Sequence, residues 1–346
     1  MSAVTHLPAA SSAWLPTSPC VPDVCLRAQA RRAGPLRRAA RMAGAAAVLL
    51  AGLPIALALG RTARRGVVTM LWSRLLLRAL GVRIVTHRGF SFIGGSARVR
   101  AVPGEDGPAL LVANHVSWLD PLVITATAAC RPLAKAEVGR WPIIRTLAGR
   151  GGALFIDRDR LSALPGVVAD MTAALRRGES VAAFPEGTTW CGREMGRFRP
   201  AVFQAALDAG VPVRPVALRF LEGAGAGRNA GRNTGAGRGA GADRGAGAGR
   251  TTGAGRLTGE RVALSTRPSY VGDDTLLASV LRIVATRDLV AEVTVFPAVR
   301  PVGPVALGGP VQRRQARTAL ARIAEAQVRT GLVTGLVEPG EQVVAA

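Results

Sequence analysis

The pattern of apolar and polar positions changes period twice along this chain. Residues 44–60 form an uncharged run of small and aliphatic side chains, interrupted by Pro54, with no polar face. Residues 67–80 switch to a helical period: Val67, Val68, Leu71, Leu75 and Leu76 share one face, and Arg74 and Arg78 lie away from it. From residue 82 onward, short apolar runs of strand length alternate with helical stretches. Strands are expected at 110–113, 153–156, 181–184, 213–218, 262–265 and 290–296. Helices are expected near 121–129, 141–149, 162–177, 199–209, 274–287 and 310–329. The alternation predicts an α/β fold, a mixed, largely parallel sheet flanked by helices. The two earlier segments predict an N-terminal apolar two-helix membrane anchor ahead of it.

Composition divides the chain further. Residues 1–38 are rich in Pro, Ser and Arg without periodicity, and a disordered tail is expected there. Residues 39–80 are read as membrane-associating helices. Their apolar run of 17 residues sits near the lower limit of a spanning helix, for which ~20 are needed. Arg31, Arg32, Arg37, Arg38 and Arg41 flank it on one side and Arg61, Arg64 and Arg65 on the other, so charge sets no orientation. A hairpin dipping into one leaflet, with arginines at the headgroups, suits this pattern. A pair of buried core helices is the alternative, and it would need another surface to cover two apolar helices. The α/β domain is expected over 81–222 and 260–336. Between them, 223–259 is a Gly/Ala/Arg insertion with Arg238, Arg244, Arg250 and Arg256 six residues apart, a composition that cannot bury a core. A short tail, 337–346, follows.

A net charge of +23 raises the question of nucleic acid. Every cation except Lys135 is arginine in a chain loaded with Ala and Gly, which points to codon bias rather than a phosphate groove. Aromatic residues for base stacking make up only 4%, so an anionic membrane surface is the expected partner and nucleic acid is not. Cys20, Cys25, Cys130 and Cys191 show no Cys-x-x-Cys spacing, and reduced thiols facing the cytoplasm are expected, with no metal and no disulfide framework.

Among three histidines, His115 alone follows a strand-like run and precedes a helix start, Asp120-Pro121. An imidazole with a carboxylate partner is the equipment of a general base. Five positions apart on one continuous helix, the two side chains would point about 140° apart. The pair therefore requires a strand–turn–helix junction. Asp120 alone also reads as a helix N-cap before Pro121, which leaves His115 without a role. Farther on, Phe184-Pro185-Glu186-Gly187-Thr188 repeats the layout of an apolar run ending in a polar turn. No Gly-x-Ser-x-Gly elbow is present, which argues against a serine hydrolase.

Asn114-His115-x-x-x-x-Asp120 together with Phe184-Pro185-Glu186-Gly187-Thr188 resembles the glycerolipid acyltransferase superfamily, bacterial 1-acyl-glycerol-3-phosphate acyltransferases in particular. Residues 152–158, Gly-Ala-Leu-Phe-Ile-Asp-Arg, and 211–216, Val-Pro-Val-Arg-Pro-Val, are similar to two further blocks of that family, in its order. The resemblance implies His115 as general base with Asp120 as its partner. It implies an acceptor site shaped by Glu186, Gly187 and Thr188, and an anion-binding role for Arg158. Lys135 falls where many members carry a basic residue, though a chance surface lysine reads equally well. No cofactor, metal or acyl-enzyme is implied, so Ser117 and Cys191 are not nucleophile candidates. The expected reaction moves a fatty acyl group from acyl-CoA or acyl-carrier protein to the hydroxyl of a lysolipid acceptor, 1-acyl-glycerol-3-phosphate first, on the cytoplasmic side of the cell membrane. Thr189 departs from the pattern, because phosphatidate-forming members usually have Arg there. Arg193 or Arg197 is then the substitute cation, or the acceptor is a less anionic lipid such as a lyso-ornithine lipid. A non-catalytic basic membrane or nucleic-acid binder is the rival of a different class.

Overall fold

In the computed structural model, described over residues 16–26, 32–59, 65–89, 99–102, 107–136, 142–157, 160–223, 263–301 and 309–334, the helices in chain order are Pro22–Cys25 (α1), Pro35–Leu59 (α2), Arg65–Leu80 (α3), Asp120–Thr127 (α4), Pro142–Arg150 (α5), Leu164–Arg176 (α6), Phe203–Ala209 (α7), Leu276–Ala285 (α8) and Pro310–Thr334 (α9). The strands are Val82–Arg88 (β1), Val99–Val102 (β2), Leu110–Ala113 (β3), Cys130–Lys135 (β4), Leu154–Ile156 (β5), Ser180–Ala183 (β6), Val213–Glu222 (β7), Ala263–Leu264 (β8), Leu289–Val295 (β9) and Ala298–Pro301 (β10).

The central strands are apolar on both faces, and that dictates the layering. In β3, Leu110 and Val112 join one core cluster while Leu111 and Ala113 join the other. In β6, Val181 and Ala183 divide from Ala182 in the same way. The first cluster is closed by Met171 and Leu175 of α6, Phe203 of α7 and Leu320 and Val328 of α9. The second is closed by Leu76, Leu77 and Leu80 of α3, Ile124 of α4 and Ile283 of α8. The result is a sheet between two helical layers. Its main path runs β1-β9-β7-β3-β6-β4-β5, with β2, β8 and β10 off it. Strands β7, β3, β6, β4 and β5 are mutually parallel, and β9 runs antiparallel to β7. Five strands therefore end at one edge, the place where open α/β sheets hold their ligands.

The structure adds to the elements expected from the sequence. Strands β1, β2, β4 and β10 were not among them. β4 carries Arg131 and Pro132 inside the strand, and β1 carries Arg83, Thr86 and His87, so neither reads as an apolar run. Within the tail expected over 1–38, residues 16–26 and 32–38 are described: α1 packs Cys25 into a small cluster, and α2 begins at Pro35. Of the insertion, 223 alone is described; 224–259 and the tail 337–346 lie outside the described residues.

Helix α2 passes through Pro54 and is the one described helix long and apolar enough to cross a membrane; an 18-residue stretch within Pro35–Ala58 has mean hydropathy 1.8, and 17% of that stretch is buried. The face expected on α3 divides in two. Leu76 turns inward with Leu77 and Leu80, whereas Val67, Leu71 and Leu75 are exposed, as are Leu50, Ile55 and Leu57 of α2. Apolar side chains left open on two adjoining helices form a surface that water does not favour.

Candidate active site at the carboxyl edge of the sheet

Six residues join the end of β3 to the start of α4, and Asn114 opens them. Its amide Nδ2 donates to the Leu218 carbonyl at 2.9 Å, and its Oδ1 accepts from the Leu218 N–H at 2.8 Å. The loop is thereby clipped to β7. His115 and Asp120 then meet across the turn, with Nδ1 2.9 Å from Oδ2. The same carboxylate oxygen accepts the N–H groups of Val116 at 2.5 Å and Ser117 at 2.7 Å. Asp120 is fully buried, and its Oδ1 has no hydrogen-bond partner among the described residues. A carboxylate fixed by backbone donors makes Nδ1 the protonated ring nitrogen and leaves the lone pair on Nε2, the arrangement a general base needs. The imidazole also stacks on Phe184, with ring centroids 4.3 Å apart and planes inclined by 20°.

Asp120 is not the helix cap. Leu119 holds that position without a side-chain cap, and the Asp120 carboxylate turns back into the loop instead. The junction thus serves the histidine rather than the helix.

Glu186 occupies the matching loop after β6. Its Oε1 accepts from the His115 backbone N–H at 2.7 Å and its Oε2 from the Gly196 N–H at 2.8 Å, and the residue is buried. Burial pushes its carboxyl up to about 8, although both backbone donors pull in the opposite direction. The Trp190 N–H donates to the His115 carbonyl at 2.8 Å, so the two loops are joined twice through His115's main chain. Gly187 has φ +75°, and a Cβ there would lie 2.6 Å from Pro16.

Comparison with known proteins bears on the family. A family described as Acyltransferase matches residues 93–219. The chain is 30% identical over 202 residues to a lyso-ornithine lipid O-acyltransferase of Rhodobacter capsulatus, covering 54% of this chain and 67% of that protein. The chain belongs to the glycerolipid acyltransferase family. It is also 35% identical over 126 residues to the 1-acyl-sn-glycerol-3-phosphate acyltransferase of Neisseria gonorrhoeae, covering 36% of this chain and 49% of that one. The chain thus spans about half the length of that curated relative. The crystal structure of the 1-acyl-sn-glycerophosphate acyltransferase of Thermotoga maritima is 16% identical, with a TM-score of 0.45 over 84% of this chain and 94% of that one.

The remaining acyltransferase motif residues are placed unequally. Lys135 closes β4, in register with Ile156 of β5, at the same sheet edge as His115. Arg158 lies outside the described residues. Thr188 is half-buried beside Gly187. Thr189, which stands where an arginine was expected, donates its hydroxyl to the Tyr270 carbonyl. Arg193 reaches the Cys25 carbonyl at 3.2 Å, and Arg197 is exposed. Ser117 is buried, its hydroxyl accepting the Leu119 N–H, and burial pushes the Cys191 thiol up to about 11; neither is disposed as a nucleophile.

One contributor has no signal in the sequence, and another has a role the sequence does not show. Tyr270 donates its N–H to the Val116 carbonyl at 3.0 Å while accepting from Thr189, so it bridges both loops through its main chain, for which a sequence has no signal. Asn114 stood in the motif, but its bond to Leu218 depends on a strand 104 residues away.

Proposed function

We propose that this chain is an O-acyltransferase that moves a fatty acyl group from a thioester, acyl-CoA or acyl-carrier protein, to the free hydroxyl of a membrane lysolipid. The buried His115–Asp120 pair, 2.9 Å apart with the carboxylate held by two backbone N–H groups, carries the reading. His115 Nε2 takes the acceptor's hydroxyl proton as that oxygen attacks the thioester carbonyl. The tetrahedral intermediate collapses, the C–S bond breaks, and the thiolate leaves with the proton returned by the imidazolium. Asp120 stabilises that imidazolium through Nδ1–H. The scheme needs no covalent acyl-enzyme and no resident cofactor.

The exposed leucines of α2 and α3 support work at a membrane surface, with the carboxyl edge of the sheet turned to the cytoplasm, where the thioester donors are. Lys135, at the end of β4, and Arg158, two residues after β5 in sequence, are the cations for an acidic headgroup. 1-Acyl-glycerol-3-phosphate is the first acceptor. A lyso-ornithine lipid is the second reading, favoured by Thr189 and by the Rhodobacter relative's activity.

Purified protein given labelled acyl-CoA or acyl-carrier protein with a panel of lysolipids, products read by mass spectrometry, tests both. Phosphatidate formation lost in His115→Ala is the expected result. Turnover of the lyso-ornithine lipid alone transfers the assignment to the second reading, and wild-type transfer by folded His115→Ala removes the mechanism.

A further inference from the structure

Three of the chain's four cysteines converge from two distant parts of the sequence. The sulfurs of Cys20, Cys25 and Cys191 lie within 4.8 Å of one another, all buried, while Cys130 sits apart beside Thr125. Sequence spacing gave no hint of this, because Cys191 arrives from the loop after β6 and the other two from the segment around α1. We propose that Cys20, Cys25 and Cys191 form a three-thiolate site for a thiophilic cation, Zn²⁺ foremost, which fastens segment 16–26 onto the loop that carries Glu186 and Gly187.

Chemistry and geometry agree. Zinc thiolate bonds are about 2.3 Å, which places tetrahedral sulfurs roughly 3.8 Å apart, within reach of this cluster by small side-chain rotations. Soft sulfur ligands select zinc over magnesium or calcium. Three thiolates supply three of the four tetrahedral positions, and solvent suits the fourth. The backbone N–H of Cys191 donates to Cys20 Sγ at 3.4 Å, the kind of outer contact that supports a thiolate ligand. Three thiolates and one Zn²⁺ leave a net negative charge, and Arg193, bonded to the Cys25 carbonyl at 3.2 Å, brings a guanidinium beside it. Val271 and Trp190 pack against the three cysteines.

The cluster also has something to hold. Hydrogen bonds within segment 16–26 are local, such as Cys25 N–H to the Val21 carbonyl and Leu26 N–H to the Pro22 carbonyl. The Cys191 N–H to Cys20 Sγ and the Arg193 guanidinium to the Cys25 carbonyl join the segment to the loop, both at its cysteines. Pro16 lies over Gly187 and Pro22 over Gly272. A cation bound to all three sulfurs cross-links the segment to the loop.

Full-length protein purified without chelator and with reductant should carry about one zinc ion per chain by elemental analysis. Cys20→Ser, Cys25→Ser and Cys191→Ser should each lose it, and Cys130→Ala should keep it. Cobalt substituted into the wild type should show a thiolate charge-transfer band, a readout that does not depend on any variant folding. Chelation should open segment 16–26 to protease. Zinc no higher in wild type than in the triple serine variant, absence of the cobalt band, or a disulfide among these cysteines in the freshly purified protein would each overturn the site.

Discussion

Glu186 holds His115 by its backbone N–H, 2.7 Å from Oε1, and leaves the imidazole to Asp120. Two buried carboxyl groups therefore divide the work around one histidine: one fixes where the residue sits, and the other fixes which ring nitrogen carries the proton. Both follow strands that end at the same edge of a parallel sheet, β3 and β6, paired Leu110 to Val181 through Val112 to Ala183.

Asp120→Asn keeps one oxygen for the backbone donors but no charge to stabilise the imidazolium. Its kcat should fall by about 10²–10⁴ with KM for either substrate little changed. Steady-state kinetics on the refolded variant checks it; an unaltered kcat would remove Asp120 from proton transfer.

Glu186 should make the fold pH-sensitive. Its folded value, about 8, lies above the ordinary 4.5, so between those values the native chain holds a proton that the unfolded chain has released. Its contribution to stability is complete below pH 4.5 and is lost as pH rises toward 8, by up to about 5 kcal/mol. Urea melts of the wild type at pH 5, 6.5 and 8 should decline accordingly. Glu186→Gln, with no proton to lose, should flatten that decline.

Gly187→Ala should destabilise twice over. A left-handed backbone costs a non-glycine residue about 1–2 kcal/mol, and the new Cβ meets Pro16. A lowered melting temperature together with faster proteolysis of segment 16–26 is expected, and a loss of melting temperature without faster cleavage would mean that Pro16 is not the obstacle.

Leu71→Ser with Leu75→Ser should loosen membrane attachment and spare the fold, since both side chains are exposed. Burying a leucine is worth about 1.5–3 kcal/mol, so sedimentation with anionic vesicles should show at least tenfold weaker binding. Unchanged binding would assign attachment to α2 alone.

Much of this was legible in the sequence. Strand 110–113 and the His115–Asp120 junction were readable because an uninterrupted apolar run of strand length and a Pro at the helix start are local signals. β4 was not, since Arg131 and Pro132 interrupt its pattern. The roles of Asn114 and Glu186 were not either: their partners are main-chain groups, of Leu218, His115 and Gly196, which only tertiary folding brings near. The cysteines show the same limit at longer range, because spacing rules cover neighbours in sequence and Cys191 is 171 residues from Cys20.

Tyr270 joins the loop of His115 to the loop of Thr189 using only its main-chain N–H and carbonyl. Those two bonds do not depend on the side chain at that position, whereas proline, which lacks the N–H, is barred from it. The spacing of the two loops is therefore set in part by a main-chain clip, which any substitution that keeps the N–H leaves in place.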